Sequence, residues 1–269
     1  MDVTEVLADL LAEQQTLDDI VAGLDAPQWQ LPTPSPGWNV ADQIAHLTYF
    51  DGTAALAITD PAAFQDAMSE LFGAGGAGAE SADDITLGAA RSMAPDELLA
   101  AWRANRATLA NAGRTLDNDT RVAWYGPSMG SKSFLTARLM EVWAHGQDIV
   151  DAVDGTRAPT DRLRHIAQLG VITRGWTYMN RGLEVPSTPV RVELTSPSGE
   201  TWSFGPDPST DPAAESIVGP ALDFCLVTTQ RRHVDDTALV VTGASARDWM
   251  EKAQLFAGPP SDGPAPRTD

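Results

Sequence analysis

The sequence predicts a mainly α protein with an added α+β part: an N-terminal helical bundle over residues 1–183, then a small α/β domain over 184–258. Two observations carry this. Apolar residues recur at three- and four-residue spacing through most of the first 183 positions. Beyond residue 190 the pattern changes to alternation around a Ser-Gly turn, as in VRVELTSPSGETWSFG. No internal repeat is visible.

Taken in order, residues 3–23 set Val6, Leu7, Leu10, Leu11, Leu17, Ile20 and Val21 on one helical face, and Gly23 ends the run. LPTPSPG then forbids helix. A second helix starts at the N-cap Asn39, with Asp42 three residues on in a capping-box variant, and runs to about Ile58. Asp60-Pro61 opens a short third helix to about Leu71. The low-complexity segment 73–83 reads as a mobile surface loop. Pro95-Asp96-Glu97 opens a helix to Gly113, with proline in the first turn and acids at the positive end of the dipole. After turns over 114–130, Ser131 or Ser133 caps a helix to about Val153, and another spans about 160–182. In the second part a hairpin covers 190–205 and PAAESIVGPALDFCLVTTQRR reads as one helix. TALVVTG is a strand, ASARDWMEKAQLFAG a helix, and 259–269 a disordered tail.

Composition narrows the function. With 37 acidic against 18 basic residues the formal net charge is −19, which opposes binding to nucleic acid or anionic lipid. No apolar run approaches the ~20 residues of a membrane span. Cys225 is the single cysteine, so neither an internal disulfide nor a CxxC site exists. The acidic N-terminus has no basic n-region, and the reading is a cytoplasmic protein, monomer or homodimer.

The chemistry concentrates in LMEVWAHGQDIV, residues 139–150. Glu141 and His145 are four apart and share a helix face. A second helix of the same bundle carries His46 among Ile44, Leu47 and Phe50. Two imidazoles and one carboxylate suit a divalent ion such as zinc, and three protein ligands leave one position open for reaction. The same residues also read as a surface ion pair and a satisfied, partly buried histidine. Asp42 is a weaker ligand candidate, because its cap explains it. Asp148 is a candidate acceptor for an imidazole N–H. Trp38 staples the helix start, Trp143 packs in the core, Cys225 is a buried hydrophobe, and His165 and His233 face solvent.

GWNVADQIAHL, followed by RLMEVWAHGQDI, resembles the mycothiol-dependent maleylpyruvate isomerase family. That resemblance implies a DinB-like four-helix bundle followed by a sterol-carrier-like domain. It implies that His46, Glu141 and His145 bind a divalent metal, usually zinc. It also implies mycothiol as thiol cosubstrate, activated at the open metal position for cis–trans isomerisation of a small electrophile or for thiol transfer. The arginine that the family isomerase brings from its C-terminal domain falls in DFCLVTTQRR, where the register favours Arg231 over Arg232 as a carboxylate clamp. The stretch departs from the family's L-W-x-x-G-R pattern. The alternatives on donor chemistry are a metal-dependent hydrolase, a non-haem iron enzyme, or a non-catalytic protein that binds metal or a small ligand.

Overall fold

The structure, a computed structural model, describes residues 1–73, 82–207 and 215–267. The chain divides into two compact units, Met1–Thr156 and Arg157–Asp269.

In the first unit α1 (Val3–Val21), α2 (Val40–Thr59), α3 (Pro61–Gly73), α4 (Ala82–Leu87) and α5 (Pro95–Gly113) precede a two-stranded ribbon, and α6 (Ser131–Ala152) follows it. The ribbon pairs β1 (Arg121–Val122) with β2 (Met129–Gly130), antiparallel. The start of α2 is as its sequence dictates. Asn39 accepts from the Asp42 amide at 2.9 Å, and Asp42 accepts from the Asn39 amide at 3.1 Å. At α5 the Glu97 carboxylate reaches back to the Ala94 amide, and Pro95 occupies the first turn. The capping serine expected for α6 is absent: Gly130 is the N-cap, and the Ser131 hydroxyl donates to the Asp117 carbonyl instead.

The bundle is built from α1, α2, α5 and α6. Helix α2 packs on α5 and α6, and α1 packs on α6. Leu10, Ile44, Leu47, Trp102 and Leu139 lie fully within its core, each stabilising by about 1.5–3 kcal/mol when withdrawn from water. Helix α6 is buried on most of its surface, which explains why it can hold polar groups away from solvent. One such group is Arg138. It donates to Asp51 of α2 at 3.1 Å, and the same carboxylate accepts from Gln14 at 2.9 Å and from the Trp102 indole at 3.2 Å.

The second unit contains α7 (Leu163–Ile172), α8 (Arg174–Met179), β3 (Val190–Thr195), β4 (Thr201–Phe204), β5 (Glu215–Pro220), α9 (Ala221–Thr228), β6 (Val240–Thr242) and α10 (Ala244–Lys252). The sheet order is β4-β3-β5-β6, with β3 and β5 parallel and the other pairs antiparallel. Val192, Leu194 and Ile217 are buried from the sheet, as are Phe224 of α9 and Trp249 of α10.

Four sequence expectations change here. The division falls at Thr156/Arg157 rather than near residue 183, because α7 packs against α9. The helix expected over 160–182 is broken at Thr173, whose hydroxyl donates to the Leu169 carbonyl. The single helix expected before Arg231 is a strand followed by a helix. Pro220 has no N–H to continue a helix and disfavours helical geometry at Gly219. Gly219 itself sits at φ +156, where a Cβ would meet the Ala238 carbonyl at 3.1 Å. The tail expected to be disordered is placed through residue 267, tied by the Ser261 amide to Gln254 and by the Ser261 hydroxyl to Gln230. The segment 73–83 lies largely outside the described residues, as do residues 268–269 of the tail. Among the described residues no helix is long and apolar enough to cross a membrane.

Candidate metal centre

Helix α2 brings His46, and helix α6 brings Glu141 and His145. The three meet. Glu141 Oε2 lies 3.0 Å from His145 Nε2 and 3.6 Å from His46 Nε2, and one donor atom from each of the three lies within 4.8 Å of the others. Two ligands each ~2.0–2.1 Å from one cation at a tetrahedral angle sit about 3.4 Å apart. The two short separations bracket that value, so the residues fit a small divalent ion.

The setting is largely dry. The three side chains keep 17%, 24% and 11% of their surface exposed for His46, Glu141 and His145, enough for access and too little for full hydration. Burial lowers the His46 pKa to about 4, with His145 adding to the effect, so the ring is neutral at neutral pH. Burial alone pushes Glu141 upward, but hydrogen bonds from His145 and His46 outweigh it and hold the carboxyl well below its ordinary range. A neutral imidazole and an anionic carboxylate are the protonation states that a metal requires.

Aromatic rings wall the donors. The Trp38 indole stacks on the His145 ring at 5.9 Å between centroids and leans on His46 at 5.2 Å. Phe50 lies against His46 at 4.5 Å, with Tyr125 at 5.6 Å and Trp124 at 6.4 Å beyond it. Trp38 is therefore part of the site and not simply a staple.

The other sequence candidates sort clearly. Asp42 serves its cap and an ion pair with Arg91 at 2.8 Å. Asp148 is buried and accepts from the Ser35 hydroxyl at 3.1 Å. The His145 Nδ1 partner is Gln43 Oε1, 2.5 Å away, a residue the sequence gave no reason to choose. Its only signal is its place on α2, one turn before His46. Trp143 is in the core and Cys225 is buried, its thiol pKa pushed up by burial. His165 is buried rather than solvent-facing, since it lies on the packed side of α7. His233 is part-buried and caps a short 3-10 turn by accepting from the Asp235 amide at 3.1 Å. Arg231 belongs to the second unit. It follows Gln230, which holds φ +60, and donates Nη1 to the Thr229 carbonyl at 2.6 Å.

A helical bundle that gathers two imidazoles and a carboxylate from two helices defines a class of protein with a cation-sized donor cluster inside the bundle. Within that class, the chain belongs to the family of the mycothiol maleylpyruvate isomerase N-terminal domain, whose model matches residues 10–150. Two uncharacterized proteins from strains of Mycobacterium tuberculosis are each 43% identical to it over 257 residues, 96% of this chain and 97% of theirs. The fold is that of the mycothiol-dependent maleylpyruvate isomerase crystal structure. The TM-score is 0.57 at 19% identity, over 86% of this chain and 90% of that one. A mutant of that isomerase matches with the same TM-score, 0.57, at 18% identity, over 91% of this chain and 94% of that one.

Proposed function

We propose that the protein is a divalent-metal-dependent enzyme that uses mycothiol as cosubstrate, an isomerase or thiol transferase acting on a small electrophile. The observation that carries the reading is the convergence of His46, Glu141 and His145 at metal-ligand spacing. Family membership supports the thiol and the reaction class.

His46, His145 and Glu141 would hold the metal, expected to be zinc, which when bound would keep a coordinated thiol as thiolate near neutral pH. Glu141 would supply one negative charge to a divalent ion held there, so that an anionic sulfur would be favoured as its further ligand. Trp38 and Phe50 shield the donors from bulk water, so the sulfur meets its electrophile in a poorly hydrated setting. Addition of the thiol to an unsaturated carbon gives cis–trans isomerisation when the thiol leaves again, and transfer when it stays. Arg231 clamps a carboxylate of the electrophile in a bidentate fork.

The test uses protein purified without added metal. Elemental analysis is expected to find one equivalent of zinc, and electrophile consumption is expected only when mycothiol is supplied. Turnover that proceeds equally without any thiol overturns the reading in favour of a hydrolase.

A further inference from the structure

We infer that Gln230, clasped by Ser261, is a positioning residue: it holds the left-handed turn at the end of α9 from which Arg231 is presented. The segment 258–264 thereby joins the parts of the second unit that set this arginine. The consequence for substrate binding rests on Arg231 acting as the proposed carboxylate clamp, whereas the turn itself is measured without any substrate.

Among the described residues, only Asp154 and Gln230 hold a positive φ without being glycine, at +50° and +60°. Aspartate visits the left-handed region because its short side chain bonds locally, a relief glutamine lacks. Gln230 nonetheless occupies the position just past α9 in a Schellman motif, where glycine is preferred. Its backbone N–H donates to the Val227 carbonyl at 2.9 Å, and the Arg231 N–H donates to the Leu226 carbonyl at 2.7 Å. The Arg232 N–H shares that carbonyl at 3.2 Å. A backbone held in a sparsely populated region persists only where its surroundings over-determine it.

Those surroundings come from the chain beyond α10. Gln230 Nε2 donates to the Ala253 carbonyl at 3.1 Å and to the Ser261 carbonyl at 2.7 Å, and Oε1 accepts from the Ser261 hydroxyl at 2.6 Å. Both ends of the side-chain amide are engaged, in three bonds that a glycine could not make. Gly263 passes so close that a Cβ there would meet Gln230 Cγ at 3.2 Å. Ser261 is anchored in turn: its N–H donates to Gln254 Oε1 at 3.1 Å, and its carbonyl also accepts from Arg181. Gln254 is buried, so this anchor is shielded from competing water. The turn decides where Arg231 points. As it stands, Nη1 folds back to the Thr229 carbonyl at 2.6 Å. Were Gln230 to leave the left-handed region, both backbone bonds to Leu226 would break and the arginine would project in another direction.

The experiment compares two variants of the full chain. Gln230→Met keeps the length of the side chain and loses the clasp. It is expected to speed hydrogen exchange of the Arg231 and Arg232 amides by about tenfold, the scale of the left-handed penalty. It is also expected to raise KM for maleate, with mycothiol supplied, by a similar factor, leaving kcat, zinc content and KM for the uncharged dimethyl maleate unchanged. Gln230→Gly loses the same clasp but takes the left-handed turn without strain, so it is expected to return exchange and KM close to wild type. A clasp that merely docked the segment 258–264 would suffer equally in both variants. Exchange at the wild-type rate in Gln230→Met, or Gln230→Gly as impaired as Gln230→Met, overturns the inference. Faster exchange in Gln230→Met with KM for maleate unmoved upholds the turn and overturns the clamp. Should Gln230→Met fail to fold, Ser261→Ala removes the hydroxyl donor and is expected to speed the same two amides by about threefold; unchanged exchange there overturns the inference.

Discussion

Arg138→Met is the sharpest test of how the bundle holds its two donor helices together. Arg138 and Asp51 keep only 4% and 0% of their side-chain surface exposed, and they join α6 to α2 at 3.1 Å. Gln14 and Trp102 both donate to Asp51 Oδ2, so removal of Arg138 takes away the guanidinium that donates to Oδ1. Breaking a buried pair costs about 3–5 kcal/mol. With two donors retained, the lower end applies, about 3 kcal/mol. For a protein of this size each kcal/mol lowers Tm by about 2–4 °C, so the expected shift is about 6–12 °C by scanning calorimetry. The pH dependence has a defined sign. Burial raises the Asp51 pKa above its unfolded value, with Arg138 opposing, so loss of Arg138 raises it further. A carboxyl with a raised folded pKa binds its proton more tightly when folded, so stability falls as pH climbs from the unfolded value through the folded one. The deficit of the variant is therefore smaller at about pH 5 than at about pH 8. The double variant Arg138→Met, Asp51→Leu, which leaves no buried charge, is expected to regain most of the loss. A single variant within about 1 kcal/mol of wild type at both pH values would refute the reasoning.

Further outcomes concern the site and the surface of the bundle. His145→Ala is expected to reduce zinc content from one equivalent towards zero while far-ultraviolet circular dichroism stays unchanged; a full equivalent retained removes His145 from the ligand set. Arg231→Ala is expected to leave metal content intact and to raise KM for a carboxylate-bearing electrophile while sparing an uncharged one; equal effects on both count against the clamp. Asp18 accepts from Arg103 at 2.5 Å and pairs with Arg106, and the Arg103 hydrogen bond is the main reason its pKa is lowered. Its stabilising contribution is thus complete above an unfolded value of about 3.9 and lost as pH falls through the lower folded value. Asp18→Asn is expected to cost about 1–2 kcal/mol near neutrality, discounted because Arg103 is half exposed. Urea titrations should show that gap closing below about pH 4.

Much of the bundle is written locally. Asn39 with Asp42 and Pro95 with Glu97 announce their helices, because a cap is a contact between residues three apart. His46, Glu141 and His145 stand out for the same reason: each sits on a helix whose periodicity is plain, and the E-x-x-x-H spacing sets two donors on one face. What failed to show depends on contacts distant in sequence. Residues 215–220 carry no alternation of their own, and pairing with β3 and β6 makes them a strand. Gln43 looks like any polar helix residue until α6 brings an imidazole 102 positions away against it. Trp38 reads as a staple until the loop folds its ring over two histidines. His165 reads as solvent-facing for want of a partner at ligand spacing, yet solvent exclusion follows from packing, which spacing does not report.

The donor cluster draws on distant parts of the first unit, since His46 and Glu141 are separated by 95 positions in the chain. Until α6 has been synthesised and docked on α2, a nascent polypeptide offers only an isolated imidazole, which binds metal weakly. Capture of the proposed ion would then come late, after the bundle has closed. Once bound, the proposed ion would act as a bolt between α2 and α6, so chelation should loosen that joint.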